Sequence, residues 1–205
     1  MTQVLIIEDH QFMCDSLREL LEKEGTFQVA GTAVSADLAE VYCEKLHPEL
    51  VLMDVCTEGG SSGISAAKRL RERWPDMKII VMTGFDEVTY LPRAKAAGAN
   101  GFLYKSRSLS SFLETVNKVM AGENCFGEPK TIPLPEGEKP LSDREMEILR
   151  LICSHMTTKE IAEELYISEN TVKSHKSNIL QKTGFSNTLD LAFYLITNGW
   201  INPRF

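Results

Sequence analysis

The sequence predicts a doubly wound α/β domain with a five-stranded parallel sheet, followed by a small all-α domain of four helices. Three observations carry this. From residue 1 to 121, short continuous apolar runs alternate with amphipathic helical patterns, as in a parallel sheet covered on both faces. Four of the eight prolines then fall within 122–140, where they break regular structure. From 141 onward the apolar spacing is helical throughout.

The strand candidates are Val4–Ile7, Val29–Ala33, Leu50–Val55, Ile79–Met82 and Gly101–Tyr104. In the first helix Phe12, Leu17, Leu20 and Leu21 fall near one face, and Gly25 follows as a stop signal. Further helical patterns cover Ala36–Leu46, Ile64–Arg73, Glu87–Ala97 and Leu109–Ala121. Five βα units of this length wind into one open sheet, whose binding site lies at the carboxyl ends of the strands. Residues 122–140 read as a semi-extended linker. Ser142-x-x-Glu145 is a capping box opening a helix with Met146, Leu149 and Ile152 on one side. Thr158 can cap a short helix, Lys159–Leu165. Tyr166-Ile167 turns the chain, and Ser168 can cap a longer helix to Thr183, stopped by Gly184. A last helix runs from Thr188 to Asn198. The expected division is therefore a domain over 1–121, a linker over 122–140 and a second domain over 141–205.

Composition narrows the function classes. The chain is 43% hydrophobic and 25% charged, an ordinary globular balance. Its five cysteines form no CxxC pair, which speaks against a disulfide frame or a zinc site and for reduced thiols. No apolar run approaches the ~20 residues that span a bilayer, and Met1 leads straight into a strand pattern with no signal-peptide design. A cytoplasmic protein is expected. The net charge of −7 argues against a general nucleic-acid coat. Locally the picture differs: residues 170–189 contain no acid and carry Lys173, His175, Lys176 and Lys182.

Glu8 and Asp9 end the first strand, Asp54 the third and Thr83 the fourth, and Lys105 follows the fifth. A doubly wound sheet brings all five to one edge. Three carboxylates repel one another there and call for a hard divalent cation; Mg²⁺ takes oxygen ligands and keeps waters. A lysine and a hydroxyl beside them can bind the oxygens of an incoming phosphoryl group. One acid at a strand end is ordinarily just solvated, and one lysine just exposed. Five matches in order at successive strand ends are what distinguish a site.

On these residues, positions 1–121 resemble the receiver domain of two-component systems, which is flavodoxin-like in fold. The resemblance implies that Asp54 is the phospho-acceptor and that Asp9 binds Mg²⁺ directly, with Glu8 acting through water. It also implies that the backbone carbonyl of Cys56 is a further metal ligand, that Thr83 and Lys105 contact the phosphoryl oxygens, and that Phe102 is the aromatic switch. The haloacid-dehalogenase-like phosphatases also use a carboxylate nucleophile, but they need DxD, and here Cys56 stands where the second acid belongs. One departure concerns the loop after Asp54. The receiver pattern there is Met-Pro-Gly-like; here Cys56-Thr57-Glu58-Gly59-Gly60-Ser61-Ser62-Gly63 has no proline and is one residue longer.

The segments LSDREMEILRLI, TTKEIAEEL and ISENTVKSHKSNILQKTG resemble the LuxR-type helix-turn-helix output domain of NarL-like response regulators. Ile161, Leu165, Ile167, Val172 and Ile179 supply apolar contacts between its two central helices. Lys173, Ser174, Ser177 and Gln181 share one acid-free face, as a helix entering the major groove requires. The resemblance implies base-edge contact by Lys173, Ser174 and Ser177, and phosphate contact by Lys159, Thr171 and Lys176. For Lys182 a solvated face and a DNA contact stand about even.

The function expected is a phosphorylation-controlled transcription regulator, not a substrate-turnover enzyme. Its partners would be a sensor histidine kinase and double-stranded promoter DNA, bound as a homodimer, with no membrane association. The alternatives are a receiver that switches without phosphorylation, supported only by the unusual loop, and a small-molecule-gated receptor, which would need a ligand pocket in place of the acidic cluster.

Overall fold

The computed structural model describes residues 1–203. It resolves into two compact units: Met1–Phe85 with Tyr90–Pro129, and Asp86–Thr89 with the residues from Lys130 on.

The first unit is a parallel sheet in the order β2-β1-β3-β4-β5-β6. Its strands are β1 (Thr2–Ile7), β2 (Phe27–Ala33), β3 (Leu50–Asp54), β4 (Lys78–Thr83), β5 (Gly101–Tyr104) and β6 (Cys125–Phe126). The helices are α1 (Gln11–Lys23), α2 (Ala39–Leu46), α3 (Gly63–Arg73), α4 (Tyr90–Ala96) and α5 (Leu109–Met120). Every residue of β3 is buried, as its unbroken apolar run requires. One face of the sheet packs Leu5, Val51, Met53, Ile79 and Val81 against Ala66, Ala67 and Leu70 of α3. The other packs Val4, Ile6, Leu52 and Ile80 against Leu17 and Leu21 of α1 and Val116 of α5. Each large side chain so buried contributes about 1.5–3 kcal/mol. The chain leaves β1 toward β2 on one side and returns as β3 on the other. The carboxyl ends of β1 and β3 therefore border the crevice where such sheets bind ligands.

Four local expectations are corrected. Phe12 is 75% exposed; the buried face of α1 is set by Cys14, Leu17 and Leu21, from which Phe12 stands well off. Helix α4 begins at Tyr90, not at 87, because Pro92 lacks an N–H and its ring would clash with a helical carbonyl at position 88. Residues 36–38 form a 3₁₀ turn capped by Ser35 ahead of α2. Finally, Cys125 and Phe126 leave the expected linker to pair with Gly101 and Phe102, so the sheet has six strands where five were expected. Two residues are too few to show an alternating pattern.

The second unit contains α6 (Asp143–Cys153), α7 (Thr158–Glu164), α8 (Glu169–Thr183) and α9 (Thr188–Thr197). Ser142 and Glu145 form the expected capping box on α6. The cap of α7 is Thr157 rather than Thr158, because Glu160, three residues on, reciprocates to Thr157. Gly184 ends α8 in the left-handed conformation at φ 75°. Ile161 of α7 and Val172 and Ile179 of α8 are fully buried, and Leu165 and Ile167 are half-buried, which locks α7 against α8.

Candidate functional site

The ends of the parallel strands gather the acidic residues. Glu8 is 2% and Asp54 4% exposed, while Asp9 is open to solvent. Ligand oxygens from all three carboxylates lie within 4.8 Å of one another. Lys105 reaches across from the end of β5, its Nζ 3.0 Å from Asp54 Oδ2 and 2.7 Å from Glu8 Oε2. Glu8 Oε1 also accepts the His10 backbone N–H at 3.2 Å. Burial pushes the Asp54 pKa up to about 6; Lys105 opposes the rise, and the Glu8 and Asp9 charges add to it. Burial works against the Lys105 ammonium, but Asp54 and Glu8 outweigh it and raise its pKa.

Three carboxylates faced by one ammonium leave an excess of negative charge in a poorly solvated crevice. That donor set, all hard oxygen, fits a hard divalent cation such as Mg²⁺.

Thr83 ends β4 with its side chain fully buried, and its hydroxyl accepts the Phe85 backbone N–H at 3.1 Å. The Lys105 N–H donates to the Thr83 carbonyl at 2.7 Å, tying the two strand ends together. Phe102, in β5, is 3% exposed, its ring edge-on to Tyr104 at 5.2 Å between centroids. The ring already points inward, so a switch at this residue would work between this buried placement and an outward one. Cys56 is half-buried and sits beyond Asp54, its Sγ 3.5 Å from the Tyr90 hydroxyl. Gly63 ends the loop where no other residue fits: a Cβ there would lie 1.8 Å from the Asp54 carbonyl oxygen.

In the second unit, α8 presents Lys173, Ser174 and Ser177 to solvent. The Ser174 hydroxyl donates to its own helix at the Asn170 carbonyl. Thr171 is exposed and its hydroxyl lies 2.8 Å from that of the cap residue Ser168. Lys159 is exposed, 3.9 Å from Glu163. Two basic residues have partners within the fold. Lys176 is half-buried and its Nζ donates to Thr158 Oγ1 at 2.9 Å, with burial lowering its pKa. Lys182 pairs with the buried Glu145 at 2.7 Å, so the question left open for it resolves toward a structural role.

The acidic pair, Asp54, Thr83 and Lys105 are thus brought together, and Lys173, Ser174 and Ser177 share an open face. Missed in the sequence are Thr57, Ser61 and Ser35, whose hydroxyls join in one chain behind the Cys56 loop, buried at Thr57 and Ser61 and half-buried at Ser35. Hydroxyl residues in a glycine-rich loop look like ordinary turn formers, so no local signal marks them. Among the described residues, no helix is long and apolar enough to cross a membrane.

Comparison with known proteins matches residues 4–117 to the response regulator receiver domain family and residues 139–195 to the bacterial regulatory proteins, luxR family. An uncharacterized transcriptional regulatory protein, YvfU of Bacillus subtilis, is 33% identical over 98% of this chain and 100% of its own length. The transcriptional regulatory protein DegU of Brevibacillus brevis is 32% identical over 98% of this chain and 96% of its own. Among solved structures, RcsB from Salmonella enterica serovar Typhimurium, bound to a promoter in the presence of a phosphomimetic, aligns with a TM-score of 0.62. That alignment has 22% identity and covers 96% of this chain and 98% of RcsB.

Proposed function

Because this chain belongs to the response regulators that couple a receiver domain to a LuxR-type DNA-binding domain, we propose that phosphorylation of Asp54 controls its binding to promoter DNA. Proteins of this family regulate transcription and do not turn over a separate substrate. The receiver extends over 1–121, with Cys125 and Phe126 of the connection added to its sheet, and the DNA-binding domain over 141–205, joined through the rest of 122–140. The observation that carries the reading is the placement of Lys105 between Asp54 and Glu8.

The phosphoryl donor is a phosphohistidine on a sensor kinase, and this chain receives the phosphoryl group in the cytoplasm. An Asp54 carboxylate oxygen attacks phosphorus, the P–N bond breaks, and the electron pair leaves with the imidazole. Glu8, Asp9, Asp54 and the Cys56 carbonyl would hold Mg²⁺, which supplies charge neutralisation for the transferring phosphoryl group. Lys105 is preorganised at the acceptor and binds a phosphoryl oxygen once Asp54 carries the acyl phosphate. Thr83, whose hydroxyl accepts the Phe85 N–H, donates its own O–H to another phosphoryl oxygen. That new bond biases Phe102 and the surface around it toward the active state.

On DNA, α8 enters the major groove with Lys173, Ser174 and Ser177 toward base edges. Lys159, Thr171 and Lys176 are toward phosphates, Lys176 from its bond to Thr158 at the start of α7. A homodimer sets two such helices on half-sites about one DNA turn apart, ~34 Å. That RcsB is described as forming dimers on DNA supports this arrangement. The test is phosphodonor-dependent mass gain and DNA retardation in wild type and Asp54→Asn; DNA binding that responds to phosphodonor in the variant would refute the proposal.

A further inference from the structure

We infer, on the reading that the Cys56 carbonyl is a metal ligand, that Thr57 is the positioning residue that aims it. The loop after Asp54 has reason to be loose. Gly59 and Gly60 both sit at φ 76°, the chain there is exposed, and no proline limits it. Thr57 nevertheless is 3% exposed.

The link to Cys56 is the peptide plane. The Cys56 carbonyl and the Thr57 N–H belong to one rigid trans peptide, so they point in opposite directions. The Thr57 N–H donates to the Ser61 carbonyl at a long 3.3 Å, across a narrow turn in which Cys56 faces Ser62. Alone, such a bond orients the peptide weakly. The Thr57 hydroxyl reinforces it by donating to the same Ser61 carbonyl at 2.9 Å. That hydroxyl also accepts the Ala36 N–H at 2.9 Å. Two further bonds anchor the turn to the connection after β2. The Glu58 N–H donates to the Val34 carbonyl at 3.1 Å, and the Ser61 hydroxyl lies 2.8 Å from that of Ser35. Three consecutive residues, 34–36, thus hold the turn from behind while its peptide directs the Cys56 carbonyl away from Ser61. A hydroxyl chain does here what proline does in the commoner loop. Partners outside the ligand set commonly tune metal affinity in this way.

The experiment titrates Mg²⁺ alone into the full chain by calorimetry, for wild type, Thr57→Val, Thr57→Ser and Asp54→Asn. Acetyl phosphate labelling across the same Mg²⁺ range follows. Valine keeps the shape and removes the hydroxyl; serine keeps the hydroxyl. The expected result is a Mg²⁺ dissociation constant raised about tenfold or more in Thr57→Val, and near wild type in Thr57→Ser. At saturating Mg²⁺ the labelling rate of Thr57→Val should return to that of wild type, which a general loosening of the fold would not allow. Unchanged Mg²⁺ affinity in Thr57→Val, or an equal loss in Thr57→Ser, overturns the inference. If Thr57→Val does not fold, Ser61→Ala, which cuts the outer link, must weaken Mg²⁺ binding in the same direction or the inference falls. Mg²⁺ binding that is absent in wild type, or unaltered in Asp54→Asn, would instead overturn the metal-site reading beneath it.

Discussion

Lys105 Nζ, carried from the end of β5 two strands away from β3, lies 3.0 Å from Asp54 Oδ2. It also touches Glu8 at 2.7 Å, so one ammonium neutralises part of two buried carboxylates. Replacing it with methionine keeps most of the volume and removes the charge. The variant should accept a phosphoryl group from a small donor on the order of 10²-fold more slowly, the usual consequence of losing one preorganised charge-stabilising donor. A labelling time course measures it. A rate within twofold of wild type would show that Lys105 does not act on the transferring group.

Gly63 is required by packing rather than by a positive φ. A methyl group there would fall 1.8 Å from the Asp54 carbonyl oxygen and 2.9 Å from the Met53 side chain. Backbone cannot yield that distance without moving Asp54. Gly63→Ala should therefore lose roughly 1–3 kcal/mol in urea unfolding and should slow Asp54 labelling as well. A variant with unchanged stability would mean that α3 can start elsewhere.

The Glu145–Lys182 pair gives a pH-dependent test inside the DNA-binding unit. Burial raises the Glu145 pKa, but hydrogen bonds from Lys182 and Ser142 more than reverse this, and the net shift is downward. A carboxyl whose folded pKa is depressed contributes stability above its unfolded pKa and loses it as pH falls through the folded one. Lys182→Met should cost about 1–3 kcal/mol near pH 7. The gap between variant and wild type should shrink as pH falls through the folded Glu145 pKa, which lies below the ordinary glutamate value. A gap independent of pH would point to lost packing instead of lost charge.

Lys173 and Lys159 separate two kinds of DNA contact. Lys173 stands on the open face of α8 with Ser177, and Lys159 sits in the first turn of α7. Lys173→Ala should lose about 1–3 kcal/mol on the cognate site and relax its specificity. Lys159→Ala should weaken cognate and scrambled DNA alike and lower the salt slope by about one. Binding across a salt series on both DNAs distinguishes them. Equal losses on both DNAs for Lys173→Ala would place Lys173 on the phosphate backbone.

The acidic crevice was legible because each of its residues ends or follows a recognisable apolar strand, and parallel winding brings strand ends together whatever lies between. Glu8, Asp54, Thr83 and Lys105 needed only that rule. What stayed hidden depends on short or non-local pairing. The two-residue strand at Cys125 has no period to detect. Phe12 groups with Leu17, Leu20 and Leu21 on one face in the sequence pattern, although its angular position on α1 turns it outward. Lys176 and Lys182 look alike in sequence. Only the positions of Thr158 and Glu145 reveal that both amines have partners within the fold.

The central claim, that Asp54 chemistry governs DNA binding, is tested most directly by joining two readings on the same samples. Intact mass and promoter retardation are recorded for wild type and Asp54→Asn, with and without acetyl phosphate and Mg²⁺. Wild type should gain the mass of one phosphoryl group and change its DNA affinity in step with the modified fraction, while Asp54→Asn does neither. Phosphodonor-dependent modification in Asp54→Asn, or a modified wild type whose DNA affinity does not change, would contradict the account.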